Sequence, residues 1–94
     1  MPSDIKTPVE YFLNLRDAIF DMKKVVGKYP GDKGLAEILR QLELAEHWTR
    51  GGHPPTLDQK GQLHFGLLAS KFLDDTDQEL AQRIYDIASY ITYW

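Results

Sequence analysis

Hydrophobic residues recur at helical spacing along most of the chain. Phe12, Leu15, Ile19, Met22, Val26 and Tyr29 are separated by steps of 3, 4, 3, 4 and 3, which fits one face of a helix and breaks the alternation of a strand. Leu35, Ile38, Leu39, Leu42 and Ala45 form a second stripe, and Leu63, Leu67, Leu68 and Phe72 a third. Leu80, Ile84, Ile87 and Ile91 form a fourth. Each stripe except the second is preceded by the form of a capping box: Thr7-Pro8-Val9-Glu10, Thr56-Leu57-Asp58-Gln59 and Thr76-Asp77-Gln78-Glu79. Pro8 also suits the first helical position.

Turn residues separate the stripes. Tyr29-Pro30-Gly31-Asp32, Gly51-Gly52-His53-Pro54-Pro55 and Leu73-Asp74-Asp75 each carry the Gly, Pro or Asp chemistry of a break. Gly61 and Gly66 weaken the third helix, by about 1 kcal/mol each if both are helical; Gly66 also permits a close helix–helix approach. The pattern predicts an all-α fold, a compact antiparallel four-helix bundle with helices over 8–29, 34–50, 57–72 and 77–93. At 94 residues the chain suits one domain, 1–94, with a single core.

Composition narrows the functional classes. Fourteen acids against eleven bases give a net charge of -3. No dense run of Lys and Arg supports nucleic acid or an anionic membrane surface as partner. There is no cysteine, hence no disulfide, thiolate nucleophile or Cys-based zinc site. Met1 to Lys6 lacks the apolar core of a signal peptide, and no window approaches the length of a membrane span. These features predict a cytoplasmic protein.

Candidate chemistry is sparse. Glu43 and His47 sit four apart on one helix face, but two ligands do not make a dedicated metal site. His53 falls in a loop, and His64 lies between Leu63 and Phe65. Ser3, Ser70 and Ser89 have no recognisable nucleophile pattern around them. The glycine motifs of nucleotide binding and the spacing of a calcium loop are both missing. The reading is no enzyme, no catalytic residues, no metal and no cofactor.

Two features point instead to protein recognition. Asp74, Asp75, Asp77 and Glu79 cluster against a single Lys71. Asp77 and Glu79 also suit a helix start, where acids favour the dipole; as a face, the cluster would dock on a basic cleft and act mainly on association rate and specificity. Trp48 falls beside the core stripe of the second helix, a residue type enriched at binding hot spots. Tyr85, Tyr90, Tyr93 and Trp94 crowd the last helix. Ordinary packing accounts for Tyr85, while Tyr90 and Tyr93 leave self-association open. The partner-binding residues expected from sequence are therefore Asp74, Asp75, Asp77, Glu79 and Trp48.

The chain also resembles the small helical immunity proteins of bacterial type VI secretion systems, which protect against NAD(P)+ glycohydrolase toxins and related toxin domains. The resemblance lies in Thr7-Pro8-Val9-Glu10-Tyr11, Tyr29-Pro30-Gly31, Gln41-Leu42, Gly66-Leu67-Leu68-Ala69-Ser70-Lys71 and Asp74-Asp75-Thr76-Asp77-Gln78-Glu79-Leu80, in that order. The loop Gly51 to Pro55 and Gly61 depart from the family pattern. What the resemblance implies is a non-catalytic inhibitor that binds a cognate effector toxin domain and blocks its active site. It identifies no contact residue and does not distinguish an NAD(P)-degrading toxin from another nucleotide-targeting one. The competing class is a small regulatory or scaffold bundle, homo-oligomeric through its last helix.

Overall fold

A computed structural model describes residues 5–94. Ser3 and most of the N-terminal segment judged above lie outside these residues. The described chain is helical with no strands: α1 (Pro8–Lys28), α2 (Lys33–Thr49), α3 (Leu57–Gln62), α4 (Phe65–Phe72) and α5 (Gln78–Tyr93). α1 packs on α2 and α5, and α4 packs on the same two helices, so these four close a ring around one core. The least dimension of 19 Å corresponds to two layers of helices. The expected four-helix bundle is therefore the fold, with α3 as a short addition outside the ring.

The expected third helix, 57–72, is broken at Leu63 and His64. Leu63 is extended, and the His64 amide bonds to the side chain of Gln41 on α2. The break turns the apolar face. Phe65, Ala69 and Leu73 enter the core, while Leu67 and Phe72 are exposed and Leu63 and Leu68 are half-buried. Gly66 is a point of close approach to α5, since a Cβ there would stand 3.1 Å from that of Ala88.

The α1 stripe also shifts. Leu15, Ile19 and Met22 are buried as expected, but Tyr11, Ala18 and Val25 complete the face, while Phe12 and Val26 are half-buried and Tyr29 is exposed. The face is wide because α1 meets two helices. In α2, the expected Leu35, Ile38, Leu42 and Ala45 are buried, while Leu39 is half-buried. All four residues expected on the last helix, Leu80, Ile84, Ile87 and Ile91, are buried with Ala81.

The caps explain where the helices start. Thr7 accepts the Glu10 amide at 3.2 Å, and the Glu10 carboxylate reaches the amide of Lys6 rather than that of Thr7. Thr56 and Gln59 form a complete reciprocal box. The third expected box is displaced: the α5 cap is Asp77, not Thr76, since the Asp77 side chain accepts the Leu80 amide while Thr76 lies in the preceding turn.

Candidate partner-binding surface

The acidic cluster lies on the tight turn joining α4 to α5. Leu73 is fully buried and pins this turn. Its carbonyl accepts the amides of Thr76 at 2.9 Å and Asp77 at 2.8 Å. Two of the four acids are engaged within the chain. Asp77 accepts the Leu80 amide at 3.1 Å and thereby caps α5. Asp74 accepts the Tyr85 hydroxyl at 3.2 Å. Burial raises the pKa of Tyr85, and the bond to Asp74 adds to the effect. Asp75 and Glu79 are exposed. The turn therefore gathers the four acids, with one carboxylate oxygen of Asp74 and one of Asp77 bonded within the chain.

Trp48 is half-buried near the C-terminal end of α2. It does not join the acids. Phe72, the last residue of α4, lies over Gly34 at the start of α2, where a Cβ would stand 2.5 Å from the ring. This contact fixes the acidic turn at the opposite end of α2 from Trp48. The fourteen helical steps from Gly34 to Trp48 span about 21 Å.

Next to Thr49, the last residue of α2, the end of the bundle is aromatic. Tyr11 is fully buried, stacks on Tyr90 with centroids 5.3 Å apart, and meets Trp94 edge-on at 5.0 Å. Its hydroxyl is 3.0 Å from that of Thr49. Thr49 donates its one proton to the Ala45 carbonyl at 2.6 Å, so Tyr11 is the donor in the Tyr11–Thr49 bond. Burial pushes the Tyr11 pKa up to about 12. The Lys60 ammonium on α3 donates to the Trp94 carbonyl oxygen at 3.1 Å. Tyr90 is thus spent on internal packing, whereas Tyr93 is 87% exposed. The centrality of Tyr11 was missed from sequence, although its spacing to Leu15, Ala18 and Met22 is helical.

The histidines remain apart from any common centre. Glu43, His47, His53 and His64 are exposed, and no three of His, Asp and Glu converge as metal ligands among the described residues. The Ser70 hydroxyl donates to the Leu67 carbonyl at 2.7 Å. No described helix is long and apolar enough to cross a membrane.

A protein-family model, Tsi6, matches residues 10–93, from the first turn of α1 to the last residue of α5. The chain belongs to the Tsi6 family. Tsi6 is a family of type VI secretion immunity proteins, in agreement with the resemblance carried by the sequence motifs. The matched stretch takes in the entire ring of helices apart from the first two residues of α1, and every candidate contact residue: Trp48, Asp74, Asp75, Asp77 and Glu79. It also takes in the Gly51 to Pro55 loop. No curated protein and no solved structure matches the chain.

Proposed function

We propose that this chain neutralises a cognate secreted antibacterial toxin by binding its enzymatic domain stoichiometrically in the cytoplasm and covering the active site, without catalysis of its own. The observation that carries this reading is the Tsi6 match over nearly the whole bundle. The toxin class is an enzyme that degrades NAD(P) or otherwise targets nucleotides, following the sequence resemblance. Protection against a lethal enzyme requires tight binding. A nanomolar complex corresponds to about -12 kcal/mol.

The bundle suits rigid-body inhibition. Its four packed helices present fixed surfaces, so little conformational entropy is lost on association. The acidic turn supplies long-range attraction to a basic cleft, with Asp75 and Glu79 as the free charges, Asp74 and Asp77 as charges held in place by Tyr85 and the α5 amides, and Trp48 as a separate contact.

The test uses a cognate toxin domain, sought as the product of a neighbouring gene. Charge reversal at Asp75 and Glu79 is expected to slow association about tenfold and flatten its salt dependence, with helical circular dichroism unchanged. Unchanged kinetics would remove the acidic turn from the interface. Absence of any complex with the unaltered chain would remove the immunity reading itself.

A further inference from the structure

The longest helix carries an apolar row that the core does not use. Val9, Leu13 and Phe20 on α1 are 68%, 58% and 61% exposed. Their spacing of 4 and 7 residues puts them on one line, opposite the face formed by Tyr11, Leu15, Ala18, Met22 and Val25. The other large exposed apolar side chains are scattered over different elements and form no comparable row. Exposed apolar residues standing singly are ordinary, but an aligned set on one helix marks a contact surface.

The row is bordered by charge of one predominant sign. Arg16, Lys23 and Lys24 are exposed beside it, against one exposed acid, Asp17. The ion pairs among the described residues are Arg40–Glu37 and Arg83–Asp21, so none of these three bases is neutralised by a pair. The Lys24 ammonium lies 4.4 Å from the centre of the Phe20 ring, poised at the edge of the apolar surface. On a chain of net charge -3 this is a local reversal of sign.

We infer that the outer face of α1 is the apolar anchor of the toxin interface, and that it seats on an acidic surface of the toxin with an apolar pocket for Phe20 and Leu13. This rests on the immunity reading above and deepens it. The acidic turn speeds encounter with basic parts of the toxin; the basic border of α1 steers its own approach, and the apolar row slows dissociation. Docking would bury Phe20 and Leu13 while Arg16, Lys23 and Lys24 meet carboxylates around the rim, the arrangement of an apolar centre and polar border that gives durable complexes.

The experiment measures binding of the neighbouring-gene toxin domain by surface plasmon resonance, with three variants of the full chain. Leu13→Ser with Phe20→Ser is expected to weaken affinity at least about 30-fold, mostly through faster dissociation. Lys23→Glu with Lys24→Glu is expected to slow association about tenfold. Asp75→Lys with Glu79→Lys serves as the comparison on the other surface. All three keep wild-type circular dichroism, because none alters a core residue. If the Leu13 and Phe20 variant binds as tightly as the wild type while the wild-type complex forms, the α1 assignment is wrong and the immunity reading survives. If the wild-type chain forms no complex, both fall. If light scattering shows a homodimer that this variant dissociates, the face belongs to a second copy and the assignment is wrong.

Discussion

The side-chain carbonyl of Gln41 accepts the backbone amide of His64, joining α2 to the start of α4 across twenty-three residues of sequence. His64 is the cap residue of α4 and offers that helix no side-chain bond of its own. The Gln41 amide nitrogen donates to Glu37 at 3.0 Å, and Glu37 holds Arg40 through two bonds of 2.6 and 2.7 Å. A buried glutamine thus settles the amide exposed by the break between α3 and α4, and a surface ion pair orients the glutamine.

Replacing Gln41 with leucine keeps the volume and removes the acceptor. The expected loss is about 1–3 kcal/mol, the cost of leaving a partly buried amide without a partner. Urea unfolding measures it. An unchanged midpoint would mean that water replaces the glutamine at no cost.

The expectation for the last helix and for the third differ for a reason visible in these residues. Leu80, Ile84, Ile87 and Ile91 form a regular stripe whose helix packs along one side, so period alone identifies the core. Leu63, Leu67, Leu68 and Phe72 form an equally regular stripe, yet the chain breaks inside it because Gln41, distant in sequence, supplies the bond that makes the break tolerable. Local pattern carries no information about such a partner. The same holds at α5: Thr76 and Asp77 are both good caps, and the turn closed on the Leu73 carbonyl takes in both of their amides before the Asp77 side chain receives the Leu80 amide. The acids of the candidate surface were legible as a cluster. Their separation from Trp48 was not, since it follows from the way α4 lies along α2. The α1 row was hidden because Leu13 and Phe20 blur the periodicity that the core-facing residues would otherwise show.

The contact between Phe72 and Gly34 gives a second prediction. Gly34→Ala places a methyl group into the ring and forces Phe72 outward. Phe72 is 44% exposed and can swing, so the single substitution is tolerated at a cost of about 1 kcal/mol. With Phe72→Ala already present the cost disappears. A double-mutant cycle showing no coupling between the two positions would contradict the packing described at this end of α2.

Glu37 makes a pH prediction. Its bonds from Arg40, and secondarily from Gln41, lower its pKa from 4.5 to about 2. A carboxylate with a depressed folded-state pKa contributes stability above its unfolded pKa, and that contribution fades as pH falls from about 5 towards 2. The pair is solvent-exposed, so screening holds the effect below about 1 kcal/mol. Glu37→Gln is therefore slightly less stable than wild type at pH 7, and the difference shrinks as pH falls from about 5 to 2. A difference that persists undiminished at pH 2 would show that the carboxylate charge is not its source.

Residues 50–64 form the least secured part of the fold. α3 has no buried residue, is only six residues long, and contains Gly61. Gly51 and Gly52 enter it with φ of 94° and 86°, a conformation that favours glycine. Its polar ties to the bundle are the Lys60 bond to Trp94 and the Gln41 bond to His64. Hydrogen exchange by mass spectrometry is expected to show the 57–62 amides opening locally, at least about 100-fold faster than those of Ile84 and Ile87. Equal protection of the two segments would show that α3 opens only when the whole bundle unfolds.

The proposed function is inhibition by occupancy. Titrating the neighbouring-gene toxin domain with this chain, while following both heat of binding and toxin turnover, tests that directly. The expected result is a one-to-one complex of nanomolar affinity, with toxin activity falling in proportion to the chain added and vanishing at one equivalent. Undiminished toxin turnover at saturating chain, or no complex at micromolar concentrations, would contradict it.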